Sequence, residues 1–279
     1  MNNQHPYSSL NVMAWNCCGL SRVKAVEFQV TLRDFRTDIA LISETWFTKT
    51  DKIFIDGFTM YNAKHPSNNN RGGASVIIRS SLKHNLIKII ETEEFQAVVI
   101  LITTELGSFN VGAVYTPPKS KLSSQDYIAF FGELGSSYLI GGDWNAKNPR
   151  WGSRITNPKG KALEEAVNEI NANLISPGKP TFFPNNPNAK PDILDFFVFK
   201  NIPLLNRTTC DTLDVPVDHA PVTLTIFTSP VLISGPPTLV SNKTNWVQFR
   251  TDLNAFIDNS TSILSPSDID KESELLVAN

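Results

Sequence analysis

The sequence predicts an α+β fold in which two mainly antiparallel β-sheets pack face to face. Helices cover both outer sides, which gives four layers in the order α/β/β/α. Three observations support this prediction. Strand-like runs outnumber helical patterns, and the helical patterns fall between groups of strands. The chain has 279 residues, of which 41% are hydrophobic and 19% charged, so it can fill a core between two sheets.

The first part of the chain alternates strand and helix patterns and then continues in strands. The predicted segments, in order, are a strand from Leu10 to Trp15, a helix from Val23 to Phe35, a strand from Asp38 to Ser43, and β-rich runs over Ala74 to Ile78, Leu86 to Ile90 and Phe95 to Thr103. A polar loop is expected before the β-rich runs, with its clearest turn signal at Asn68 to Gly73. Polar or turn residues separate the three runs, which are therefore predicted to be antiparallel neighbours.

The second part returns to helices between strands. Apolar residues alternate strictly from Phe109 to Tyr115, which predicts a strand that Pro117 and Pro118 stop. The next predicted segments are a helix from Ser124 to Leu134, a strand from Tyr138, a helix from Lys161 to Ser176, and strands from Ile193 to Phe199 and from Val222 to Phe227. The helix from Lys161 has the clearest pattern, because its apolar residues fall on one stripe.

The composition of the chain changes near its C-terminal end. After residue 228 the sequence is linker-like, rich in Ser, Pro and Gly, and an amphipathic helix pattern follows from Trp246 to Ile257. The predicted organisation is a disordered N-terminus over residues 1–9, one domain over residues 10–228, and a linker with a partial helical appendage over residues 229–279.

The segment from Gly141 to Asn145 (sequence GGDWN) has the residue types of a phosphodiesterase site. On an extended backbone Asp143 and Asn145 lie two residues apart and share a face, whereas Trp144 points away and packs. A carboxylate that activates water beside an amide that donates to an oxyanion suits phosphodiester hydrolysis. An ordinary turn after a buried strand is an equally good interpretation of this segment alone.

Polar residues recur at the ends of several other predicted strands, which predicts one functional rim. They are Asn16, Glu44, Tyr115, Asp143 with Asn145, Asp195, and Asp218 with His219. Glu44 is a candidate ligand for a hard divalent cation such as Mg²⁺. Asp195 and Asp218 are both candidates to orient the His219 ring and raise its pKa.

Composition excludes several other classes of protein. Three cysteines without metal-site spacing fit a reducing compartment and argue against a disulfide framework or a zinc site. No apolar run approaches the roughly 20 residues of a membrane helix, and the polar N-terminus shows no secretory signal. The net charge of −2 argues mildly against DNA binding by bulk electrostatics, although a local basic rim can offset an acidic pocket. Candidates for such a rim are Lys147, Arg150, Arg154, Lys159 and Lys161, for which solvated surface positions are an equal alternative.

Six short motifs, in order, resemble the endonuclease/exonuclease/phosphatase superfamily, which includes deoxyribonuclease I and the exonuclease III-type endonucleases. They are WN-x-x-GL from Trp15, SETW from Ser43, Y-x-P from Tyr115, GGDWN, ILD ending at Asp195, and DHAPV from Asp218. The longer string GGDWNAKNPRWGS is most similar to the endonuclease domain of non-LTR retrotransposons. The resemblance implies a DNase I-like four-layer sandwich.

The resemblance also implies a role for each motif residue. Glu44 would be the main metal ligand, with Asn16 near the metal and Asp218 at its rim; the cofactor would be Mg²⁺, or alternatively Mn²⁺. Asp143 would deprotonate water and Asn145 would stabilise the transition state. The remaining residues implied at the site are Tyr115 and His219 on the phosphate, Asp195 behind His219, and Lys147, Arg150, Trp151 and Arg154 on the substrate.

Two departures from the family pattern bear on the substrate. Cys18 stands where repair endonucleases carry an Asp, and Pro118 stands where they carry an Asn. The loss of an acidic group at Cys18 makes abasic-site repair a poorer description of the main task, and Pro118 removes the basis for one substrate contact of the repair enzymes. For Trp151, core or rim packing is favoured over insertion at the DNA.

The resemblance predicts the partners and location of the chain as well. It implies a reverse transcriptase in the same polyprotein, no membrane association, and nuclear action on chromosomal DNA after cytoplasmic synthesis. A phosphoesterase of the same fold that acts on small substrates and an inactive nucleic-acid-binding relic are the alternatives.

Overall fold

The computed structural model describes residues 9–105, 107–186, 188–202, 208–213, 217–233 and 245–256. The strands within them are β1 (Leu10–Asn16), β2 (Ile39–Ser43), β3 (Phe58–Ala63), β4 (Ala74–Arg79), β5 (His84–Glu91), β6 (Gln96–Thr104), β7 (Gly107–Tyr115), β8 (Tyr138–Asp143), β9 (Asn173–Ile175), β10 (Asp195–Lys200), β11 (Thr209–Thr212) and β12 (Val222–Ile226). The helices are α1 (Arg22–Asp34), α2 (Ser124–Gly132), α3 (Pro158–Glu169) and α4 (Trp246–Phe256), and a short 3₁₀ helix covers Pro149–Trp151.

The strands form two sheets of six. The first has the order β11-β12-β1-β2-β4-β3 and the second has the order β5-β6-β7-β8-β10-β9. Two neighbouring pairs, β1 with β2 and β7 with β8, are parallel. The other pairs are antiparallel. Each sheet therefore has a parallel pair near its centre, and the carboxyl ends of such a pair meet at one edge.

Alternation along the strands separates the core into layers. In β1, Val12 faces the second sheet in the central core, whereas Met13 packs with Phe28 and Leu32 of α1 on the outer side. On the far side of the second sheet, α2 and α3 cover an aromatic cluster around fully buried Trp144. The predicted four-layer α/β/β/α sandwich is confirmed by this packing.

The helix predicted before β2 is present as α1, although several of its apolar residues face solvent. Val23, Val26 and Val30 are exposed, and α1 packs through Ala25, Phe28 and Leu32 instead. The Ser21 side chain accepts a hydrogen bond from the Lys24 backbone N–H and thereby caps the helix.

Three other sequence predictions are corrected by the structure. The helix predicted to reach Ser176 ends at Glu169, because Asn171 adopts a left-handed φ of +52° and the chain then forms β9. The run at Ala74, predicted to neighbour the next two β-rich runs, belongs to the first sheet. The expected polar loop contains β3, whose side chains are mostly half-buried, so its apolar pattern is weak.

The chain divides into two compact units, Met1–Ser234 and Gly235–Asn279. Pro230 pairs with Thr104 and Leu232 pairs with Leu82, so strand-like pairing continues beyond the predicted boundary after residue 228. That boundary stays a prediction, and the N-terminal residues predicted to be disordered lie outside the described residues apart from Ser9. None of the helices in the described ranges combines the length and apolarity that crossing a bilayer requires.

Candidate active site

The two parallel strand pairs end beside each other and are joined by one buried hydroxyl. Ser43, the last residue of β2, donates from Oγ to the Val114 carbonyl at 2.8 Å and accepts from the Asp143 backbone N–H at 3.0 Å. These two bonds connect the edge of the first sheet to the edge of the second. The sequence motif SETW contained Ser43, but sequence reasoning assigned it no role.

Asn16 links the predicted metal ligand to the predicted base. Its Nδ2 donates to Glu44 Oε1 at 3.1 Å and to Asp143 Oδ2 at 2.9 Å. Residues separated by more than a hundred positions therefore converge, as the motif order predicted. Because the amide nitrogen of Asn16 faces both carboxylates, Asn16 is placed as a hydrogen-bond donor between them rather than as an oxygen ligand.

The GGDWN turn brings Asp143 and Asn145 together by a tighter route than an extended backbone. Asn145 has a left-handed φ of +47°, its backbone N–H donates to Asp143 Oδ1, and its Nδ2 donates to Asp143 Oδ2, both at 2.9 Å. Gly142 has a φ of +150°, and a Cβ there would lie 2.0 Å from the Val114 carbonyl oxygen. A side chain at this position would clash with the neighbouring strand β7 of the same sheet.

Asp143 is 1% exposed and next to a second carboxylate. Burial raises the pKa of Asp143 above its usual range, and the charge of Asp195, its register partner on β10, raises it further. His219 and the donors from Asn16 and Asn145 oppose this shift. The carboxylate is thereby made a stronger proton acceptor than an exposed aspartate.

Asp195 and His219 form the second half of the site. Asp195 Oδ2 lies 2.9 Å from His219 Nδ1 and also accepts from Thr181 Oγ1 at 2.8 Å. Burial alone would lower the pKa of His219, but the charge of Asp195 and its hydrogen bond, with smaller contributions from Asp143 and Asp218, raise it to about 9. The ring is therefore protonated near neutral pH, and packing against the Phe182 ring 4.8 Å away fixes its plane.

Asp218 does not orient the histidine ring, which corrects one sequence expectation. Its Oδ1 accepts from the His219 backbone N–H at 3.0 Å, and its Oδ2 accepts from Cys18 Sγ at 3.3 Å. Cys18 therefore places a thiol, and not a second carboxylate, beside Asp218. Burial and the hydrogen bond to Asp218 raise the pKa of the Cys18 thiol, so it stays protonated.

Tyr115 ends β7 directly opposite Asp143 in the parallel register and is 6% exposed. Burial, the charges of Glu44 and Asp143, and a hydrogen bond to Glu44 raise the pKa of Tyr115 above its usual range. Its hydroxyl therefore remains a hydrogen-bond donor at the site.

The donor set of the site fits a divalent cation that prefers oxygen. Asp143 and Asp195 offer carboxylate oxygens that lie within 4.8 Å of each other and of a His219 ring nitrogen, and Glu44 stands beside Asp143 through Asn16. Asp195 Oδ1 is buried without a hydrogen-bond partner in the described part of the chain. Carboxylate oxygens are the ligands that Mg²⁺ and Mn²⁺ prefer. The three cysteines are free, and none joins a metal-type cluster in the described ranges.

All four predicted substrate contacts have partners within the protein. Lys147 and Arg154 both pair with buried Asp192, at 3.1 Å and 3.5 Å. Trp151 is 3% exposed, packs on Phe196 and donates from Nε1 to the Ala146 carbonyl, so it belongs to the core and not to the substrate surface. Arg150 is exposed and hydrogen-bonds Asn168.

Lys159 was predicted as a surface cation, but its side chain is 4% exposed. Its Nζ donates to the Pro117 carbonyl at 2.7 Å and contacts the Thr116 carbonyl at 3.4 Å, and Asn145 Nδ2 donates to that same carbonyl. Lys159 therefore holds the segment after Tyr115 against the GGDWN turn. Burial lowers the pKa of Lys159 to about 8, and the charge of Asp143 opposes this shift.

The burial of Lys159 leads to a testable prediction about how the stability of the fold depends on pH. Because the folded chain holds this proton less tightly than the unfolded chain, stability should rise between about pH 8 and about pH 10.5 as the proton leaves. In Lys159→Met that contribution is absent, so the wild type should gain up to about 3 kcal/mol relative to the variant across the window. Urea unfolding at several pH values measures this difference, with Lys161→Met, an exposed position on the same helix, as control. Parallel curves for wild type and Lys159→Met would contradict the prediction.

Comparison with known proteins agrees with this geometry. Residues 109–223, which contain Tyr115, the GGDWN turn, Asp195 and His219, match the family described as endonuclease-reverse transcriptase. The chain belongs to the endonuclease/exonuclease/phosphatase superfamily. It is 32% identical over 271 residues to the RNA-directed DNA polymerase from the mobile element jockey of Drosophila melanogaster, covering 97% of this chain and 29% of the relative. It is 31% identical to the probable RNA-directed DNA polymerase from transposon BS of the same species, covering 94% of this chain and 29% of the relative.

Solved structures of the superfamily share the fold. The endonuclease domain of TRAS1, a telomere-specific non-LTR retrotransposon, superposes with a TM-score of 0.62 at 20% identity, covering 78% of this chain and 98% of that one. The AP endonuclease LMAP from Leishmania major superposes with a TM-score of 0.65 at 12% identity, covering 80% of this chain and 89% of that one. The fold is therefore DNase I-like, and the chain spans less than a third of the length of the two relatives from Drosophila melanogaster.

Proposed function

We propose that the domain is a metal-dependent endonuclease that nicks one strand of double-stranded DNA and leaves a 3′-hydroxyl and a 5′-phosphate. The observation that carries the proposal is the convergence of Glu44, Asp143 and His219 from three distant segments around Asn16 and Asp195. A protonated imidazole, a carboxylate of raised pKa and two amide side chains are a suitable set for attack on a phosphodiester.

In this mechanism Asp143 orients a water molecule and accepts its proton as the water oxygen bonds to phosphorus. The bond from phosphorus to the 3′-oxygen breaks, and the departing oxygen takes a proton from solvent water to become the 3′-hydroxyl. Asn145 lies beside Asp143 and can donate from Nδ2 to the phosphoryl oxygen that gains charge. In the structure the Asn145 Nδ2 amide donates to the Asp143 carboxylate and to the Thr116 carbonyl. These two hydrogen bonds hold the amide beside the site, and a phosphoryl oxygen would replace one of the two acceptors.

His219 and Tyr115 bind the phosphoryl group as donors in this proposal. His219 is held by Asp195 through Nδ1, so its Nε2 is available for the substrate. Tyr115 offers a hydroxyl that remains protonated. Removing one donor to such a transition state typically lowers the rate about 10²–10³-fold.

Glu44 and Asp218 would hold the metal ion, with Mg²⁺ as the first candidate and Mn²⁺ as the second. When bound, the ion would neutralise phosphoryl charge and stabilise the leaving oxygen. The carboxylates present fit an oxygen-preferring ion, as described above, and the free cysteines do not provide a zinc site.

The substrate and setting follow from the relatives rather than from the site. Double-stranded DNA is proposed as substrate because the domain resembles retrotransposon endonucleases. A reverse transcriptase in the same polyprotein, and action on chromosomal DNA in the nucleus, are proposed on the same ground. The exposed Arg150 remains a candidate DNA contact near the GGDWN turn.

The test is a nicking assay on supercoiled plasmid with Mg²⁺ or with EDTA. We expect conversion to the open-circular form only with the metal ion, and nicks that a DNA polymerase extends directly because they end in a 3′-hydroxyl. Nicks that require removal of a 3′-phosphate before extension would contradict the proposed bond cleavage. Hydrolysis of small phosphorylated substrates without any plasmid nicking would replace the proposal with a phosphoesterase.

A further inference from the structure

Trp46 is an exposed aromatic side chain at the rim of the site, and the proposed mechanism does not use it. Its side chain is 40% exposed, whereas Trp144 and Trp151 are buried at 0% and 3% and Trp15 is half-buried. It lies two residues after Glu44 and lines a cavity of about 330 Å³ on the Glu44 side of the site. The cavity is also lined by Cys18, Gly19, Lys24 and Asp51.

The backbone holds Trp46 in a conformation that a bulky residue rarely adopts. Trp46 has φ +59° and Glu44 has φ +54°, both in the left-handed region. Their backbone N–H groups donate to the Gly72 and Gly73 carbonyls at 2.9 Å and 2.8 Å. The turn before β4 thus fixes both residues, and strain of this kind is typical of functional sites.

One face of the indole ring rests on a glycine that has no room for a side chain. Gly19 has φ +87°, and a Cβ there would lie 2.4 Å from Cε3 of Trp46. The ring therefore has one packed face, while the exposed remainder borders the cavity. A flat aromatic surface at the edge of a cavity is the arrangement on which a base can stack.

The ring also contacts Glu44. Its Nε1–H donates to Glu44 Oε2 at 3.1 Å, while Asn16 Nδ2 donates to Oε1 at the same distance. Each oxygen of the glutamate is thus held by at least one donor, which fixes the plane of the carboxylate. Hydrogen bonds of this type orient metal ligands and tune their affinity.

A positive charge also lines the cavity. Lys24 Nζ donates to the Cys17 and Cys18 carbonyls at 3.0 Å each, and the described residues provide no carboxylate partner for it. Asp51 on the same cavity already accepts from the backbone and hydroxyl of Thr48. The cavity therefore combines an aromatic surface with a lysine that has no acidic partner, which suits a nucleotide with its phosphate.

We propose that Trp46 has two separable roles, which rest on the proposed function and extend it. Its N–H positions the Glu44 carboxylate for the metal ion. Its ring stacks on a base of the cleaved DNA strand next to the scissile phosphate, and Lys24 contacts a phosphate of the same strand.

Two substitutions separate the roles. Trp46→Phe keeps an aromatic ring and removes the N–H, whereas Trp46→Leu keeps apolar bulk over Gly19 and removes both the ring and the N–H. Phe54→Leu, at an apolar position that is 81% exposed outside the cavity, is the matched control. Thermal unfolding of each variant first checks that the fold is retained.

The positioning role is tested by metal binding without DNA. We expect Mn²⁺ affinity, measured from the free ion by electron paramagnetic resonance, to fall about 10-fold in both Trp46 variants and to stay unchanged in Phe54→Leu. Wild-type affinity in Trp46→Phe would overturn the positioning role.

The stacking role is tested with duplex DNA that carries 2-aminopurine beside the cleavage position, in the presence of EDTA. We expect quenching of 2-aminopurine with wild type and Trp46→Phe, and loss of quenching with about 10-fold weaker binding in Trp46→Leu. Equal quenching and affinity in Trp46→Leu would overturn the stacking role. If wild type neither binds Mn²⁺ nor nicks plasmid, the proposed function itself fails; if wild type does both and the variants match it, only the roles of Trp46 fail.

Discussion

Replacing Asp143 by Asn is expected to lower the rate of DNA nicking by about 10²–10⁴-fold, the usual contribution of a general base. Asp143 accepts from Asn16 Nδ2 and from both nitrogens of Asn145, and it lies opposite Asp195 in the β8–β10 register. An amide at this position keeps the size of the side chain but cannot take a proton from water. Initial rates on supercoiled plasmid at saturating Mg²⁺ measure the effect.

The same substitution should not destabilise the domain much, which separates a catalytic loss from unfolding. The carboxylate is buried, and the charge of Asp195 disfavours its ionised form. Removing that charge relieves the repulsion, although one amide hydrogen then faces a donor and opposes the gain. Asp211→Asn, at an exposed position paired with Lys179, is the control. A variant at Asp143 that retains a tenth of wild-type activity would remove this residue from the role of base.

The rim of the site was predictable because strand ends are visible in sequence. Asn16, Glu44, Tyr115 and Asp143 each follow an apolar run, and the carboxyl ends of parallel neighbours meet at one edge. The family resemblance carried by the ordered motifs then implied that His219 joins them. The four-layer packing followed for a similar reason, since alternation in β1 and the stripe in α3 each state which side faces the core.

What sequence could not provide were partners between distant segments. The charges of Lys147 and Arg154 gave no sign that both pair with buried Asp192, some forty residues away. Trp151 could pack or contact DNA, and only the position of Phe196 on β10 decides between them. Lys159 looked like a solvated residue at a helix start, and its burial depends on the carbonyls of Thr116 and Pro117.

The prediction that β4 neighbours β5 and β6 was wrong for the same physical reason. The runs that became β4, β5 and β6 have similar composition, and local pattern does not state which sheet a strand joins. β4 pairs with β2 and β3, and β5 pairs with β6. The choice is made by packing across the core, for which a single sequence carries no direct signal.

His219→Ala is expected to lower the nicking rate by about 10²–10³-fold, because it removes a charged donor to the phosphoryl group. Asp195→Asn should also lower the rate, by less, since an amide can still orient the ring through Nδ1 but supplies no charge to keep it protonated. The two effects should not multiply. If Asp195 acts only through His219, the double variant should be no slower than His219→Ala alone.

If Asp195 had a purely structural role, a different result would be expected for the double variant. Asp195 also accepts from Thr181 Oγ1, whose hydroxyl in turn receives the backbone N–H groups of Leu194 and Asp195. If holding this segment were its main task, Asp195→Asn would slow His219→Ala further and lower the melting temperature of both backgrounds equally. Thr181→Val, which removes the hydroxyl while leaving the Asp195–His219 pair, is the control that isolates this contribution. If the rate losses of the two single variants multiply in the double variant, Asp195 acts by holding the structure of this segment. If they do not multiply, Asp195 acts by keeping the His219 ring oriented and protonated.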